Sequence, residues 1–197
     1  MTVTLAEIDK GIFYVMADWK VVYKEDAELI GKYYIDNGVK GKNHLRVPAI
    51  IGKNGLVSGE KKIEGDMRTP TGRWALRHLY YRLDRVGSIQ SRLPTTPLTK
   101  NCGWCDDPKS LEYNSHVVLP FAARHEKLWR TDAAYDLLIV LGYNDDPAIS
   151  GRGSAIFLHC IADGKNYTAG CVAVKRECLL ALSQSIEVGQ HIIIGQE

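Results

Sequence analysis

Residues 153–174, GSAIFLHCIADGKNYTAGCVAV, carry the clearest pattern in the chain. An apolar run ends in His159, a polar loop follows, and a second short apolar segment begins at Cys171. Short apolar runs bounded by glycine and polar residues are typical of buried strands. Twelve positions separate the imidazole from the thiol, and a loop of this length can fold back. We therefore expect the thiol to lie beside the imidazole.

The expected pairing suits nucleophilic chemistry. A free thiol, with a pKa of about 8.5, is mostly protonated at neutral pH, and a neighbouring imidazolium stabilises the thiolate. The histidine can then protonate a leaving amine. Gly170 permits dihedrals that suit a turn whose N–H groups point at an oxyanion, and Thr168 places a hydroxyl near that turn. By spacing alone, the pair also fits a structural cysteine and histidine in a core.

Other segments rich in β-forming residues predict further strands. They lie at 12–23, with a turn at Ala17-Asp18, and at 33–35, 45–51, 73–80, 137–142 and 191–194. Apolar residues at helical spacing predict one amphipathic helix at 175–186. Residues 91–113 contain three prolines and little periodicity, which predicts a long loop. Many strands and one clear helix indicate a β-rich α+β fold, in a single domain of residues 1–197.

The composition excludes several classes of protein. The chain has 197 residues, of which 45% are apolar and 24% are charged, as in ordinary soluble domains. The formal net charge is +2, with both signs mixed along the chain, so we expect no nucleic acid partner. No apolar run reaches the ~18 residues of a membrane-spanning helix, so we expect no membrane partner. The pair Lys61-Lys62 is expected in a solvated turn.

The cysteines and the N-terminus bear on the cellular compartment. The chain has five cysteines, and an odd number in a chain of this length is not typical of a disulfide-stabilised domain. The first residues lack the basic and apolar regions of a secretory signal. We therefore expect a reducing, cytoplasmic location, or a periplasmic one if a signal has been removed.

Two separate motifs resemble one known family. Residues 153–174 resemble the active-site signature of the L,D-transpeptidase (YkuD-like) catalytic domain, which has a histidine, a spacer and then Ser/Thr-x-Gly-Cys. Upstream, residues 64–72 (EGDMRTPTG) are similar to the family's Gly-Asp-x-x-Thr-Pro-x-Gly segment. Residues 104–108, 113–114 and 142–144 resemble pieces of one branch of the family. The motifs stand in the family's order.

The resemblance implies a β-rich, YkuD-like catalytic core, a β-sandwich or mixed sheet with few helices, that acts on peptidoglycan stem peptides or muropeptides. It implies Cys171 as the nucleophile and His159 as the base, with a thioester formed as D-alanine leaves. An amine resolves the thioester in an L,D-transpeptidase, and water does so in an L,D-carboxypeptidase. A cytoplasmic setting favours hydrolysis. The resemblance implies no metal and no other cofactor.

Three positions depart from the family's pattern. Ala169 stands where the family often has histidine, and Cys160 stands where glycine commonly follows the histidine. Ala173 stands where an arginine is frequent, two residues past the cysteine. These changes leave the expected nucleophile intact, but the missing arginine could have bound a substrate carboxylate.

The sequence does not fix a substitute for that arginine. The basic candidates near the motifs are Lys175, Arg176, Arg152 and Arg68. From the resemblance we assign substrate contacts to Arg68, Trp104, Asn114 and Arg152.

Two other functions stay open at this point. A non-catalytic peptidoglycan-binding module could keep the same fold, and the absent arginine at Ala173 favours it. A thiol redox protein could use the pair in Cys102-Gly-Trp-Cys105. A redox pair normally opens a helix, however, and a structural zinc site needs a second pair of ligands.

Overall fold

The structure is a computed structural model, and it describes residues 19–23, 33–36 and 46–195. In these ranges the chain forms thirteen strands and two helices. The strands are β1 Trp19–Tyr23, β2 Tyr33–Asp36, β3 Arg46–Ile50, β4 Leu56–Ser58, β5 Thr69–Tyr81, β6 Thr95–Pro97, β7 Cys102–Cys105, β8 His116–Val118, β9 His125–Lys127, β10 Leu137–Leu141, β11 Phe157–Cys160, β12 Val172–Val174 and β13 His191–Ile194. The helices are α1, Leu83–Val86, and α2, Arg176–Ser185. The expected β-rich class with few helices is confirmed.

Ten of the described strands form one mixed sheet. Their order is β10-β11-β12-β3-β2-β1-β13-β5-β4, and β6 also pairs with β5. Strand β10 pairs antiparallel with β11 on one side and with β5 on the other, so the path from β10 to β5 closes on itself. The pairs β11–β12 and β1–β13 are parallel. The remaining strands form a smaller antiparallel sheet in the order β8-β7-β9.

Strand β10 shows why the core has two parts. All five residues of its sequence LLIVL are buried, as expected for a strand covered on both faces. Leu137, Ile139 and Leu141 pack into one apolar cluster, which α2 also covers. Leu138 and Val140 face a second cluster, to which the smaller sheet contributes through β7. The candidate site residues described below lie on this second face.

The expectation of a loop over residues 91–113 is wrong in part, because β6 and β7 lie within it. All four residues of β7 are buried. The strand therefore lacks the alternation of polar and apolar residues that marks a half-exposed strand.

Cys102 and Cys105 are three positions apart in a strand, so their side chains project from opposite faces. This geometry does not favour a redox pair.

Helix α2 confirms the amphipathic helix expected at 175–186, with Leu179 and Leu182 buried. Neither described helix is long and apolar enough to cross a lipid bilayer. The strand expected at 12–23 is described from Trp19 onward. The turn expected at Ala17-Asp18 lies outside the described residues.

A buried carboxylate joins the two helices. Asp136, whose side chain is 1% exposed, accepts hydrogen bonds from Arg85 of α1 (2.8 Å) and Arg176 of α2 (3.0 Å). We expect Asp136→Ala to lower the free energy of unfolding by about 2 kcal/mol, because two charge-assisted bonds are lost. Urea denaturation followed by tryptophan fluorescence measures this.

The control for that experiment is Asp145→Ala. It removes the partner of Arg77 (2.8 Å), in a pair that is far more exposed to solvent. The expected loss is about 0.5 kcal/mol, because water screens exposed ion pairs. Equal losses in the two variants contradict the role given to Asp136.

Candidate functional site

Strands β11 and β12 place the expected base and nucleophile on one face of the main sheet. The strands run parallel, with His159 opposite Ala173. Cys171, the residue before β12, therefore lies beside Phe157 at the start of β11. Side chains two positions apart in a strand share a face. His159 and Cys171 are thus diagonal neighbours, with Cα atoms roughly 8 Å apart by ideal strand geometry.

Both side chains line one cavity of about 590 Å³. Only 7% of Cys171 and 9% of His159 is exposed, so the two residues form part of its inner wall. Thr168 and Gly170 line the same cavity. The structure therefore brings together four of the residues that the sequence analysis singled out.

The backbone ahead of β11 holds the thiol of Cys171. The Sγ–H group donates to the carbonyl of Ala155 (3.1 Å), and Sγ accepts from the N–H of Phe157 (3.3 Å). Within the described part of the chain, no hydrogen bond joins the sulfur to His159. The thiol and the imidazole share the cavity, but the thiol proton is directed at a backbone carbonyl.

A backbone carbonyl also orients the imidazole of His159. Nδ1 lies 2.8 Å from the carbonyl oxygen of Cys160. Because a carbonyl only accepts, Nδ1 carries the hydrogen, and Nε2 is the basic nitrogen of the neutral ring. The ring also packs edge-on against Tyr135, with centroids 5.3 Å apart. The cysteine that replaces the family's glycine at position 160 makes this contact through its backbone, so the departure leaves it intact.

Burial keeps both groups uncharged. Desolvation raises the pKa of the Cys171 thiol to about 12, although the N–H of Phe157 favours the thiolate. Desolvation lowers the pKa of His159 to about 4, although the carbonyl of Cys160 favours the protonated ring. At neutral pH the free protein therefore holds a thiol and a neutral imidazole. The structure differs here from the imidazolium and thiolate that the spacing suggested.

A network of hydroxyl groups fixes the turn before Cys171. The carbonyl of Cys171 accepts from the hydroxyls of Thr168 (2.7 Å) and Thr69 (3.2 Å), and the N–H of Gly170 donates to Thr168 (3.1 Å). Gly170 has a φ of 145°, and a Cβ atom there would lie 3.0 Å from the carbonyl of Arg68. Glycine is therefore required for this close approach. The oxyanion roles of Thr168 and Gly170 stay predictions.

The two arginines assigned to substrate do not line this cavity. Arg68 is exposed, and its backbone carbonyl packs against the turn at Gly170. Arg152 is half-buried, and its carbonyl accepts a hydrogen bond from the hydroxyl of Tyr143. Both residues contribute backbone to the surroundings of the site, and their substrate contacts stay predictions.

Trp104 and Asn114 are buried behind the site and are absent from the cavity wall. Trp104 packs edge-on against Phe157, with ring centroids 5.1 Å apart, and its Nε1 donates to Oδ1 of Asn114 (3.0 Å). Asn114 in turn accepts from the N–H of Ala155 (3.0 Å). The structure therefore links both residues to the segment that holds the thiol.

Lys62 is a residue of the cavity wall that the sequence analysis missed. The expectation of a solvated turn is wrong for this lysine, which is 2% exposed. Its ammonium donates to Asp66 (2.6 Å) and to the carbonyl of Ile63 (2.9 Å). Two adjacent lysines in a glycine-rich stretch carry no local signal of burial, because the covering residues come from distant parts of the chain.

A second charged group on the wall was also missed. Arg130 forms two hydrogen bonds to Asp132 (2.8 and 2.6 Å), and its guanidinium lies 5.1 Å from the ring centre of Tyr135. The Tyr135 hydroxyl donates to Glu126 (2.7 Å), and burial raises the pKa of that carboxyl. The wall therefore presents both signs of charge within one cavity.

The other four cysteines lie outside this cavity, and all five are free thiols. Cys160 is buried on the opposite face of β11, and burial raises its pKa to about 12. In the described ranges, no three His, Cys, Asp or Glu side chains are grouped as ligands for a metal ion. Of the five cysteines, Cys171 is thus the one that lines this cavity.

Comparison with known proteins is consistent with this geometry. None of the curated proteins compared with the sequence matches it. The family model of the L,D-transpeptidase catalytic domain, YkuD, matches residues 11–194, nearly the whole chain. This range includes the sheet, the cavity and both motifs. The chain therefore belongs to the YkuD family of L,D-transpeptidase catalytic domains.

Proposed function

We propose that the chain is a cysteine acyl-transferase that acts on peptidoglycan stem peptides. It cleaves the bond between the L-centre of a diamino acid and a terminal D-alanine, with Cys171 as the nucleophile and His159 as the base. Membership of the family supports a peptidoglycan substrate. The observation that carries the proposal is the placement of this thiol and this imidazole in one cavity, on one face of β11 and β12.

The first half of the reaction starts from uncharged groups, so His159 acts as a general base. The thiol proton passes to Nε2 of His159 while Sγ of Cys171 forms a bond to the substrate carbonyl carbon. The carbon–nitrogen bond then breaks, and the imidazolium returns the proton to the leaving amine of D-alanine. The result is a thioester between the stem peptide and Cys171.

The second half of the reaction resolves the thioester. Water or an amine attacks the thioester carbonyl, and His159 takes a proton from the attacking group. The carbon–sulfur bond breaks, and Cys171 recovers its proton from the imidazolium. With water the product is a shortened peptide, as in an L,D-carboxypeptidase. With an amine of a second stem peptide the product is a cross-link, as in an L,D-transpeptidase.

The cavity wall suits a peptide that carries both carboxylates and an ammonium group. Lys62 and Arg130 line the cavity, whereas the arginine and lysine candidates suggested by the sequence do not. Each of the two cations is held by a neighbouring carboxylate, Asp66 or Asp132, which fixes its position. We therefore assign carboxylate recognition to Lys62 and Arg130, in place of the arginine missing at Ala173.

Product analysis with a disaccharide tetrapeptide tests the proposal. The wild type should release D-alanine and leave a tripeptide, form dimers, or do both. Cys171→Ala should lower product formation by about 10³-fold or more, because the nucleophile is removed. Liquid chromatography with mass spectrometry measures both products.

The matched control is Cys178→Ser, which replaces a half-buried cysteine of α2 outside the cavity and should retain activity. Tripeptide release by Cys171→Ala at the wild-type rate would contradict the thioester mechanism. A folded wild type that binds the peptide but turns none over supports the binding-module alternative instead.

The pH dependence of alkylation tests the neutral resting state. Iodoacetamide reacts with the thiolate, and burial raises the pKa of Cys171 to about 12. The rate at Cys171 should therefore rise about tenfold per pH unit from pH 6 to 9, because that range lies below the thiol pKa. Mass spectrometry of the Cys171 peptide measures the rate. A rate that is constant over this range indicates a preformed thiolate and imidazolium, and contradicts the general-base step.

A further inference from the structure

The segment of residues 153–155, which ends two residues before β11 begins, is held by side chains from distant parts of the chain. The N–H of Gly153 donates to the hydroxyl of Tyr113 (3.0 Å), and the hydroxyl of Ser154 donates to Glu64 (2.7 Å). Glu64 also accepts from Tyr113 (2.6 Å). These bonds give a fixed conformation to a segment that belongs to no strand.

Ala155, the last residue of this segment, has an unusual backbone. Its φ is 53°, in the left-handed region that is unfavourable for a residue with a side chain. Its N–H donates to Oδ1 of Asn114 (3.0 Å), 41 positions away in the sequence. The bond to Asn114 helps to offset that cost and so favours this conformation of Ala155.

Asn114 is a rigid anchor for this bond. Oδ1 also accepts from Nε1 of Trp104 (3.0 Å), and Nδ2 donates to the carbonyls of Tyr143 (3.0 Å) and Asn144 (2.8 Å). These contacts use both acceptor sites and both hydrogens of the amide. The side chain is buried, so it is fixed in place and has no capacity left for a substrate.

The anchored backbone acts directly on the sulfur of Cys171. The carbonyl of Ala155 accepts the thiol proton (3.1 Å), and the N–H of Phe157 donates to the same sulfur (3.3 Å). An acceptor and a donor two residues apart thus bracket the sulfur. Rotation about the Cβ–Sγ bond can redirect the proton while the sulfur stays in place.

We propose that Asn114 is a positioning residue for the acyl transfer. By holding Ala155, it aims the Ala155 carbonyl at the thiol and fixes the place from which the sulfur of Cys171 attacks. This inference rests on the proposed function, because it takes that sulfur to be the nucleophile. It replaces the substrate contact that the sequence assigned to Asn114.

The S–H stretching band of Cys171 reports on the bond to Ala155 directly. The infrared difference between the wild type and Cys171→Ser isolates this band. In the wild type we expect it below the frequency of a free thiol, because a hydrogen-bond acceptor weakens the S–H bond. Asn114→Ala should move the band towards the free-thiol frequency. A wild-type band at the free-thiol frequency overturns the proposal, even if no Asn114 variant folds.

The matched control is Asn144→Ala. Asn144 also has a positive φ (51°, against 59° for Asn114), and its amide donates to the carbonyls of Ile149 (3.0 Å) and Gly153 (2.8 Å). It makes no side-chain bond to Ala155. Its side chain reaches this segment only at Gly153, so this variant should lower stability and move the band much less than Asn114→Ala does. A band that moves equally in both variants shows general loosening, and overturns the specific role of Asn114.

Kinetics separate positioning from substrate binding. Asn114→Ala should lower kcat by about tenfold to a hundredfold and leave KM near the wild-type value, because the sulfur is misplaced while the substrate contacts remain. A higher KM with unchanged kcat returns Asn114 to substrate binding and overturns the inference. The infrared measurement needs no turnover, so its failure is distinguishable from a failure of the proposed function.

Discussion

The parallel pairing of β11 with β12 is the interaction on which the site depends. It sets His159 opposite Ala173, and so brings the residue before β12, Cys171, to the same face of the sheet. A shift of one residue in this register would turn the thiol to the opposite face, into the core under α2. The turn that leads into β12 is secured by Thr168 and Thr69, so the register and the approach of the chain support each other.

Desolvation decides which chemistry this geometry can perform. The same burial that packs Phe157 and Tyr135 around the site takes water away from the thiol and the imidazole. Both groups are therefore uncharged at rest, and in the proposed reaction charge is created only when the sulfur attacks. The Cys171 thiol of the free protein is therefore weakly reactive, since the thiolate is the reactive form.

The sequence predicted those features that local pattern and spacing determine. Most strands of the main sheet and helix α2 follow from periodicity within short segments, whereas β4 and β6 were not predicted. The expectation that His159 lies near Cys171 followed from their spacing in the sequence. The burial of Lys62 beside Gly153 was beyond the sequence, because the two residues lie far apart in the chain. The same holds for the hydrogen bonds that join Asn114 to Ala155 and Tyr143. The pKa of the imidazole was also beyond the sequence, since it depends on how completely other segments exclude water.

The closed path of the main sheet has a consequence for the behaviour of the protein in solution. Strands with unpaired backbone groups can recruit strands from other molecules. In the described part of the chain, the strands attached outside the ring are β4 and β6, each of three residues. Strands this short offer a neighbouring molecule few hydrogen-bonding groups, so the described part of the main sheet leaves little edge for association between molecules.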